Sequence, residues 1–448
     1  MRPRETRGFA LAECELAGFD RQHAIRCRVQ RPDRYRLLSA LPADLPRIAR
    51  GGGVSYVAAS FDADAVSQDL SAFDRVLAFD ETSGRIVVEA GMRVGHLQRF
   101  ALARGWYLPV APGHPRASIG GCIAADVHGK NPARDGTFRA IVDALEIEQP
   151  EGGAIAADRM RNTELFEATF AGFGLTGLVT RATVRLARAP AAWMVRRLPV
   201  RNLAEAARVL REAGTAPLLY GWHDGRAGHF GRGVIRVGLT ADAADARAAR
   251  LPTSDDDLPA AIRPLPVGLW SHAGIAWADR WLTWRWCREG RAPMPLAEAL
   301  FPLNRARGYF AAYGPAGMAE AQWLVPHARF EAFASLLGDA VARLRPRIAL
   351  IASKLFAGVA QGLSFDGNGI ALALQVPAPA EATQRRFLET LAELAIAHGG
   401  RPNLIKDSTL DAATVRAAIP GFETARARLA LFNPQGRMVS HLSRRLGL

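Results

Sequence analysis

Three consecutive glycines, Gly51, Gly52 and Gly53, follow Arg50 and precede Val54-Ser55-Tyr56. Such a run suits neither a helix nor a strand, because glycine loses more backbone freedom on folding than any other residue. It suits a tight loop in which the main chain itself approaches a ligand. A second glycine-bearing stretch runs from Gly113 through Ser118-Ile119-Gly120-Gly121 to Ala125-Asp126-Val127-His128-Gly129-Lys130-Asn131. A third is Gly172-Phe173-Gly174-Leu175-Thr176-Gly177. Backbone amides in paired, side-chain-poor turns can neutralise a diphosphate, so the pattern points to a dinucleotide. A Rossmann site is not its carrier. No GxGxxG lies between a strand and a helix, and no acidic residue follows at the required distance.

The 448 residues exceed one ordinary core and predict two closely packed domains. Hydrophobic residues at 49% and charged residues at 22% describe a soluble globular chain. Lys and Arg outnumber Asp and Glu by 57 to 43, a net charge of +14. That charge favours an anionic partner, or it reflects an arginine-rich coding bias. Neither zinc-finger spacing nor an RNA-binding aromatic signature is present, so nucleic acid is not the expected partner. Cys14, Cys27, Cys122 and Cys287 are scattered without a CxxC pair, so neither a metal site nor a disulfide framework is expected. The N-terminus lacks an apolar signal core. No apolar run approaches the ~18–20 residues needed to span a bilayer. The expected location is cytoplasmic, or peripheral to the inner membrane.

Residues 1 to about 45 are charged and poorly periodic until Arg31–Leu41. Short strands are predicted at Val76–Phe79 and Arg85–Ala90, and an amphipathic helix at Val94–Arg104. A β-rich stretch, Leu178–Leu186, closes this half. Beyond about residue 190, strands alternate with longer helices. Strands are predicted at Glu320–Val325 and Gly369–Val376. A helix is predicted over Ala382–His398, ended by Gly399-Gly400. Trp270, Trp277, Trp281 and Trp284 share the spacing of one narrow helical face. Trp286 lies close by, with Arg280, Arg285, Arg288 and Arg291 interleaved and Asp255-Asp256-Asp257 flanking. Tryptophan mixed with arginine suits a membrane interface, although a core or oligomer-contact helix has the same spacing.

The segments RGGGVSY, PGHPRASIGGCIAADVHGKN and ELFEATFAGFGLTGLVTRAT resemble FAD-binding oxidoreductases of the vanillyl-alcohol-oxidase (PCMH) type. With AYGPAGMAEAQWLVP, GLSFDGNGIALALQVP, HGGRPNLIKDS and NPQGRMVSHLSRRL they are most similar to the branch that oxidises a polyprenyl-phosphate-linked pentose. The resemblance implies an α+β fold with a two-part FAD-binding domain over residues 1–190. A substrate domain, an antiparallel sheet with helices, would cover 191–400 and carry the Trp/Arg segment near 265–295. Residues 401–448 would return to the FAD domain. FAD would meet Arg50, Gly51, Gly52, Gly53, Val54, Ser55, Tyr56, Gly113, Ser118, Ile119, Gly120, Gly121, Ala125, Asp126, Val127, His128, Val179 and Asn403. The place where many relatives attach FAD covalently to histidine is Val54, so non-covalent FAD is expected.

Carried over in the same way, Lys130, Gln322, Lys354 and Lys406 line the active site, with Tyr56 and His128 close to the flavin. Lysines can anchor a phosphate as point charges. A desolvated lysine can also accept a hydroxyl proton, and Lys406 is the expected base. The pattern is not fully kept. Ala371 and Ala373 stand where the family carries Asn and Cys, and Glu320 stands where it carries Gln. The implied reaction oxidises a secondary alcohol to a keto sugar, half of an epimerisation leading to a cell-wall arabinan precursor. A short-chain NAD(P)H reductase partner would complete it. A soluble alditol or aldonolactone oxidase and a non-catalytic flavin- or lipid-binding protein are the alternatives.

Overall fold

A computed structural model describes residues 8, 10–151, 153–190, 193–240, 262–286, 290–304 and 306–448. The Asp255–Asp257 run, Cys287 and Arg288 lie outside the described residues, as do the side chains of Arg285 and Trp286. The architecture is α+β, as the sequence implies, and is organised around three main sheets.

Two of these sheets lie in the first part of the chain. The first has four strands in the order Leu11–Ala17, Ala24–Gln30, Val66–Asp69, Arg47–Arg50. Its outer hairpin is antiparallel, while Val66–Asp69 runs parallel to both its neighbours. The hairpin was not foreseen, although its signal is present. Ile25, Cys27 and Val29 alternate with polar residues, the period of a half-buried strand. The second sheet is an antiparallel array ordered Val76–Asp80, Arg85–Glu89, Leu178–Arg185, Val142–Gln149, Gly153–Asp158. Helix Val94–Leu102 buries Val94, Leu97 and Ala101 against this region.

The third sheet is antiparallel and has eight strands. Its order is Gly290–Met294, Trp193–Val200, Gly233–Thr240, Leu218–His223, Leu350–Ala357, Asn368–Pro377, Met318–Pro326, Arg401–Pro402. Side chains alternate between its faces. In Met318–Pro326, the odd positions Ala319, Ala321, Trp323 and Val325 enter the main core, while Glu320 and Gln322 face a cavity. In Asn368–Pro377, Ile370, Leu372, Leu374 and Val376 enter the same core, while Ala373 and Gln375 face the cavity. Helices Leu203–Glu212, His327–Leu344 and Ala382–Ala397 cover the core side with Leu210, Phe333, Leu337, Phe387 and Leu391. The last of these helices stops where the sequence predicts, and Gly399 there takes the left-handed φ of +71°.

The chain's end docks on the first sheet. The Arg47 amide donates to the Arg437 carbonyl at 2.8 Å, and the Val439 amide to the Arg47 carbonyl at 3.0 Å. The guanidinium of Arg444 meets Asp62 at 3.1 Å. A three-stranded parallel join of distant segments therefore closes behind the glycine loop that follows Arg50. The tryptophan segment forms helix His272–Trp286. Trp270 precedes that helix and packs on Tyr309 and Tyr313, with ring centroids 5.0 and 5.8 Å away. The helix is tied down by Asp279, 3.2 Å from the Arg226 guanidinium, which also grips Asp224.

Candidate active site

The two glycine loops touch. A Cβ placed on Gly51 would lie 1.9 Å from Ser118 Oγ, and one on Gly52 would lie 1.8 Å from the Arg116 carbonyl oxygen. Only glycine permits main chains to approach this closely. Gly53 also requires the left-handed region, at φ +65°. Ser118 caps the short helix Ile119–Ala124, its Oγ accepting from the Gly121 amide at 3.1 Å. Asp126 takes φ +43°, a conformation Asp tolerates better than most residues. Its carboxylate is held by the Arg139 amide at 3.0 Å and by the Ser364 hydroxyl.

One continuous cavity of about 350 Å³ starts at these loops and ends at the large sheet. Arg50, Gly51, Gly52, Gly53, Val54, Ser55, Tyr56, Gly113, Ser118, Gly120 and Gly121 line it. So do Ala125, Asp126, Val127, His128, Val179 and Asn403. Ile119 does not reach it and is fully buried in the core beneath. The glycine-walled half fits FAD. It is bordered by glycine main chain and holds the buried Ser55 hydroxyl, whose oxygen has no partner among the described residues. Such an unsatisfied buried group calls for a ligand that can hydrogen-bond to it.

Lys130, Lys354, Lys406, Glu320, Gln322 and Ala373 line the far half of the cavity. Ala371 shares their face but sits in an apolar nest of Leu324, Phe356 and Phe365 rather than at the cavity wall. Lys406 Nζ meets Glu320 Oε1 at 2.8 Å and lies 4.1 Å over the Tyr56 ring. Burial pushes the Glu320 carboxyl up, but Lys406 and hydrogen bonds from Lys406, Gln375 and Tyr56 outweigh it and hold the group below its usual range. Gln375 was not foreseen. Its Nε2 donates to Glu320 at 2.7 Å, and its carbonyl accepts from Tyr313 at 3.1 Å and from Tyr309. It could have been found as the next residue after Ala373 on the same strand face. Tyr220 and Trp222, which also line the cavity, alternate in the same way on their own strand.

His128 is half-buried at the cavity wall. Its Nδ1 lies 3.0 Å from Lys354 Nζ and its Nε2 lies 3.2 Å from Gln322 Nε2. Burial above all holds the imidazole well below its ordinary value, so it is neutral. Burial, then Lys406, lowers Lys130 to about 8. Lys354 donates to the Gly129 carbonyl at 2.8 Å, and burial, then Lys130 and Lys406, brings it well below an ordinary lysine. One signal escaped the motif-based reading altogether. Only three of the 57 basic residues are lysines, and they are Lys130, Lys354 and Lys406. All three converge on this cavity. No cluster of His, Cys, Asp and Glu capable of holding a metal occurs among the described residues.

A glycine-walled cradle opening onto a sheet-borne polar pocket defines a flavin-dependent oxidoreductase, and comparison with known proteins agrees. Residues 37–158 match a family model described as an FAD binding domain. Decaprenylphosphoryl-beta-D-ribose oxidase of Mycolicibacterium smegmatis is 28% identical over 424 residues, 90% of this chain and 89% of that protein. An uncharacterized protein in the mprA 5'region of Streptomyces coelicolor is 30% identical over 79% of this chain and 99% of its own length. D-arabinono-1,4-lactone oxidase of Eremothecium gossypii is 31% identical over a shorter stretch, 22% of this chain and 19% of that one. The chain belongs to the PCMH-type family of FAD-binding oxidoreductases. It is an FAD-dependent enzyme acting on CH–OH groups.

Proposed function

We propose that the enzyme oxidises a secondary alcohol carbon of a pentose joined to a polyprenyl phosphate, giving a keto sugar. The reaction is the first half of an epimerisation, and a separate short-chain NAD(P)H reductase completes it. The observation that carries this reading is the convergence of Lys130, Lys354 and Lys406 at the end of the flavin cavity. Ammonium groups such as Lys130 and Lys406 attract a phosphate, and the Mycolicibacterium relative is named for a phosphorylated, prenylated ribose. Bound FAD, held without a covalent bond, supplies the two-electron acceptor. The chain's own residues anchor the phosphate, exclude water and take up the hydroxyl proton.

A lipid-linked substrate also accounts for the outer surface. Trp277, Trp281 and Trp284 are 74%, 49% and 60% exposed, and Val267 and Leu269 are exposed beside them. No helix among the described residues is long and apolar enough to cross a membrane. The tryptophan face therefore suits peripheral contact, in which aromatic rings sit among lipid headgroups. Trp270 connects this face to the pocket through Tyr309, Tyr313 and Gln375.

Anaerobic mixing of the FAD-loaded enzyme with prenylphosphoryl pentoses tests the reading. The expected result is loss of the visible absorbance of oxidised flavin. Bleaching by free alditols or aldonolactones, but by none of the prenyl phosphates, would replace it with a soluble sugar oxidase. Bleaching by neither class would leave only a binding role.

A further inference from the structure

The chain meets nearly every cationic need with arginine and keeps lysine at three positions, all in one cavity. Arginine anchors carboxylates and phosphates at least as well as lysine. What it cannot do is lose its proton. Lysine retained solely at this site therefore indicates that the chemistry uses an amine able to be neutral.

Hydrogen-bond direction identifies which amine. The Ile405 amide donates to Asn403 Oδ1 at 3.4 Å, and a backbone N–H cannot act in reverse. Asn403 Nδ2 then donates to Gln322 Oε1 at 2.8 Å. Gln322 thereby presents its Nε2 to His128 Nε2, which must accept. The single proton of the neutral imidazole is left on Nδ1, 3.3 Å from the Gly129 carbonyl and 3.0 Å from Lys354 Nζ. That N–H is shared between the carbonyl and Nζ, and with Nδ1 unable to accept, a nitrogen 3.0 Å from it is better placed as an amine with a lone pair than as an ammonium group. Lys354 in turn donates to the Gly129 carbonyl, which closes a one-way chain running from a backbone N–H to a backbone C=O. The charged groups facing Lys354 are Lys130, Lys406 and Glu320. Glu320 is already committed to Lys406 at 2.8 Å, so among the described residues Lys354 has no carboxylate of its own.

We propose that Lys354 is the neutral amine that accepts the substrate's hydroxyl proton, while Lys406 remains a cation fixed by Glu320. The assignment rests on the alcohol oxidation proposed above. In that step the O–H proton passes to Lys354 Nζ, which becomes an ammonium group. Bound FAD would supply the acceptor for the carbon's hydrogen and its electron pair, so that the C–O single bond would become C=O. Lys406, the base expected from the sequence, serves instead to position the oxygen-bearing end of the substrate.

The three-lysine composition makes the test direct. The FAD-loaded enzyme grown with lysine carbon-13 labelled at Cε should give three Cε resonances. Lys130→Arg and Lys406→Arg assign two of them, and the third is Lys354 by elimination even if its own variant fails to fold. The Lys354 resonance should stand at the neutral-amine position at pH 7.5 and titrate at the lowest pH of the three. A Lys406 resonance that titrates first, or three that titrate together in the ordinary lysine range, would overturn the assignment. Rapid-mixing flavin reduction supplies the second arm. Lys354→Arg should lower the limiting rate by roughly 10²–10⁴-fold, the contribution of a positioned base. Lys406→Arg should act chiefly on substrate affinity. The reverse split also overturns the proposal. Because the resonance titration needs no substrate, failure of every prenyl phosphate to reduce the flavin would strike the substrate reading separately.

Discussion

Substituting alanine at Gly52 tests the contact on which the cofactor cradle depends. The new Cβ would meet the Arg116 carbonyl oxygen at 1.8 Å. Because that oxygen belongs to the main chain, no rotamer change relieves the clash. The 51–53 and 116–121 loops must then part by about 1 Å, and overpacking of this kind costs about 1–3 kcal/mol. If the whole cost falls on the cradle, FAD affinity drops roughly 5- to 150-fold, since 1.4 kcal/mol is a factor of ten. Titration of flavin fluorescence gives the affinity, and melting with and without FAD separates cofactor loss from general unfolding. Gly308→Ala is the control. A Cβ there has nothing within 4 Å, and the position lies in helix Arg307–Ala311, so alanine should be neutral or slightly stabilising. A Gly52→Ala enzyme that binds FAD within twofold of the parent would refute the argument that the paired loops form the cradle.

Other consequences can be checked separately. Burial raises the Asp20 carboxyl from 3.8 to about 6, against hydrogen bonds from Ser408 and the Gln22 amide. A carboxyl raised on folding lends stability that is complete below the unfolded value and is lost as pH climbs through about 6. Asp20→Asn should therefore raise stability by about 1–3 kcal/mol at pH 8 and converge with the parent near pH 4; a difference independent of pH would contradict this. Ser353 Oγ lies 2.7 Å from buried His223 Nε2 on the core face of the strand that carries Lys354. Ser353→Ala should cost about 1–3 kcal/mol by stranding the imidazole, leaving the flavin-reduction rate of the folded enzyme intact. A slowed rate with an unchanged melting temperature would be the wrong outcome. Trp277→Ser should weaken binding to anionic vesicles roughly tenfold without moving the melting temperature, and equal sedimentation with vesicles would count against a lipid-facing helix. Acid precipitation should release all flavin into the supernatant, because Val54, at the place where the family resemblance implies an attaching histidine, has no group that could bond to the flavin; yellow pellets would exclude dissociable FAD.

The glycine clusters were legible because their physical demand is local. A run such as Gly51–Gly53 has few uses besides close main-chain approach, and the structure presses it against Ser118 and Arg116. Helix Ala382–Ala397 and strands Met318–Pro326 and Asn368–Pro377 were legible for a similar reason, since each carries its own period and its own stop. The hairpin Leu11–Ala17 with Ala24–Gln30 was not. Glu13, Glu15, Arg26 and Arg28 decorate its exposed face, and charge there masks a strand alternation that only the partner strand makes worthwhile. Pairings across the cavity were beyond any sequence reading. Glu320 and Lys406 lie far apart in the chain, and the ion pair depends on how strand Met318–Pro326 meets the loop after Pro402. The contrast between Ala371 and Ala373 was equally hidden. Both share one strand face, but Phe356 and Phe365 cover the first and leave the second open.

The strand faces divide the work of the large sheet. One side is filled by Trp323, Leu372, Leu374 and Ile351 against helices, where volume and shape set stability. The other side holds Glu320, Gln322, Lys354 and Gln375, where each polar group needs a partner because burial makes an unpaired one costly. The partners form two opposed sets. Glu320, Gln375, Tyr56 and Lys406 form a charge-balanced group, whereas Asn403, Gln322, His128 and Lys354 form a directional chain without a carboxylate. The first set stabilises a cation and the second stabilises a lone pair. A group fixed by a carboxylate suits an anchor and one held in a chain without a carboxylate suits a base, and here both are lysines on the same cavity wall. An arginine could fill the first place, but the second demands an amine. An arginine-rich chain that still keeps lysine in its pocket is best explained by that second demand.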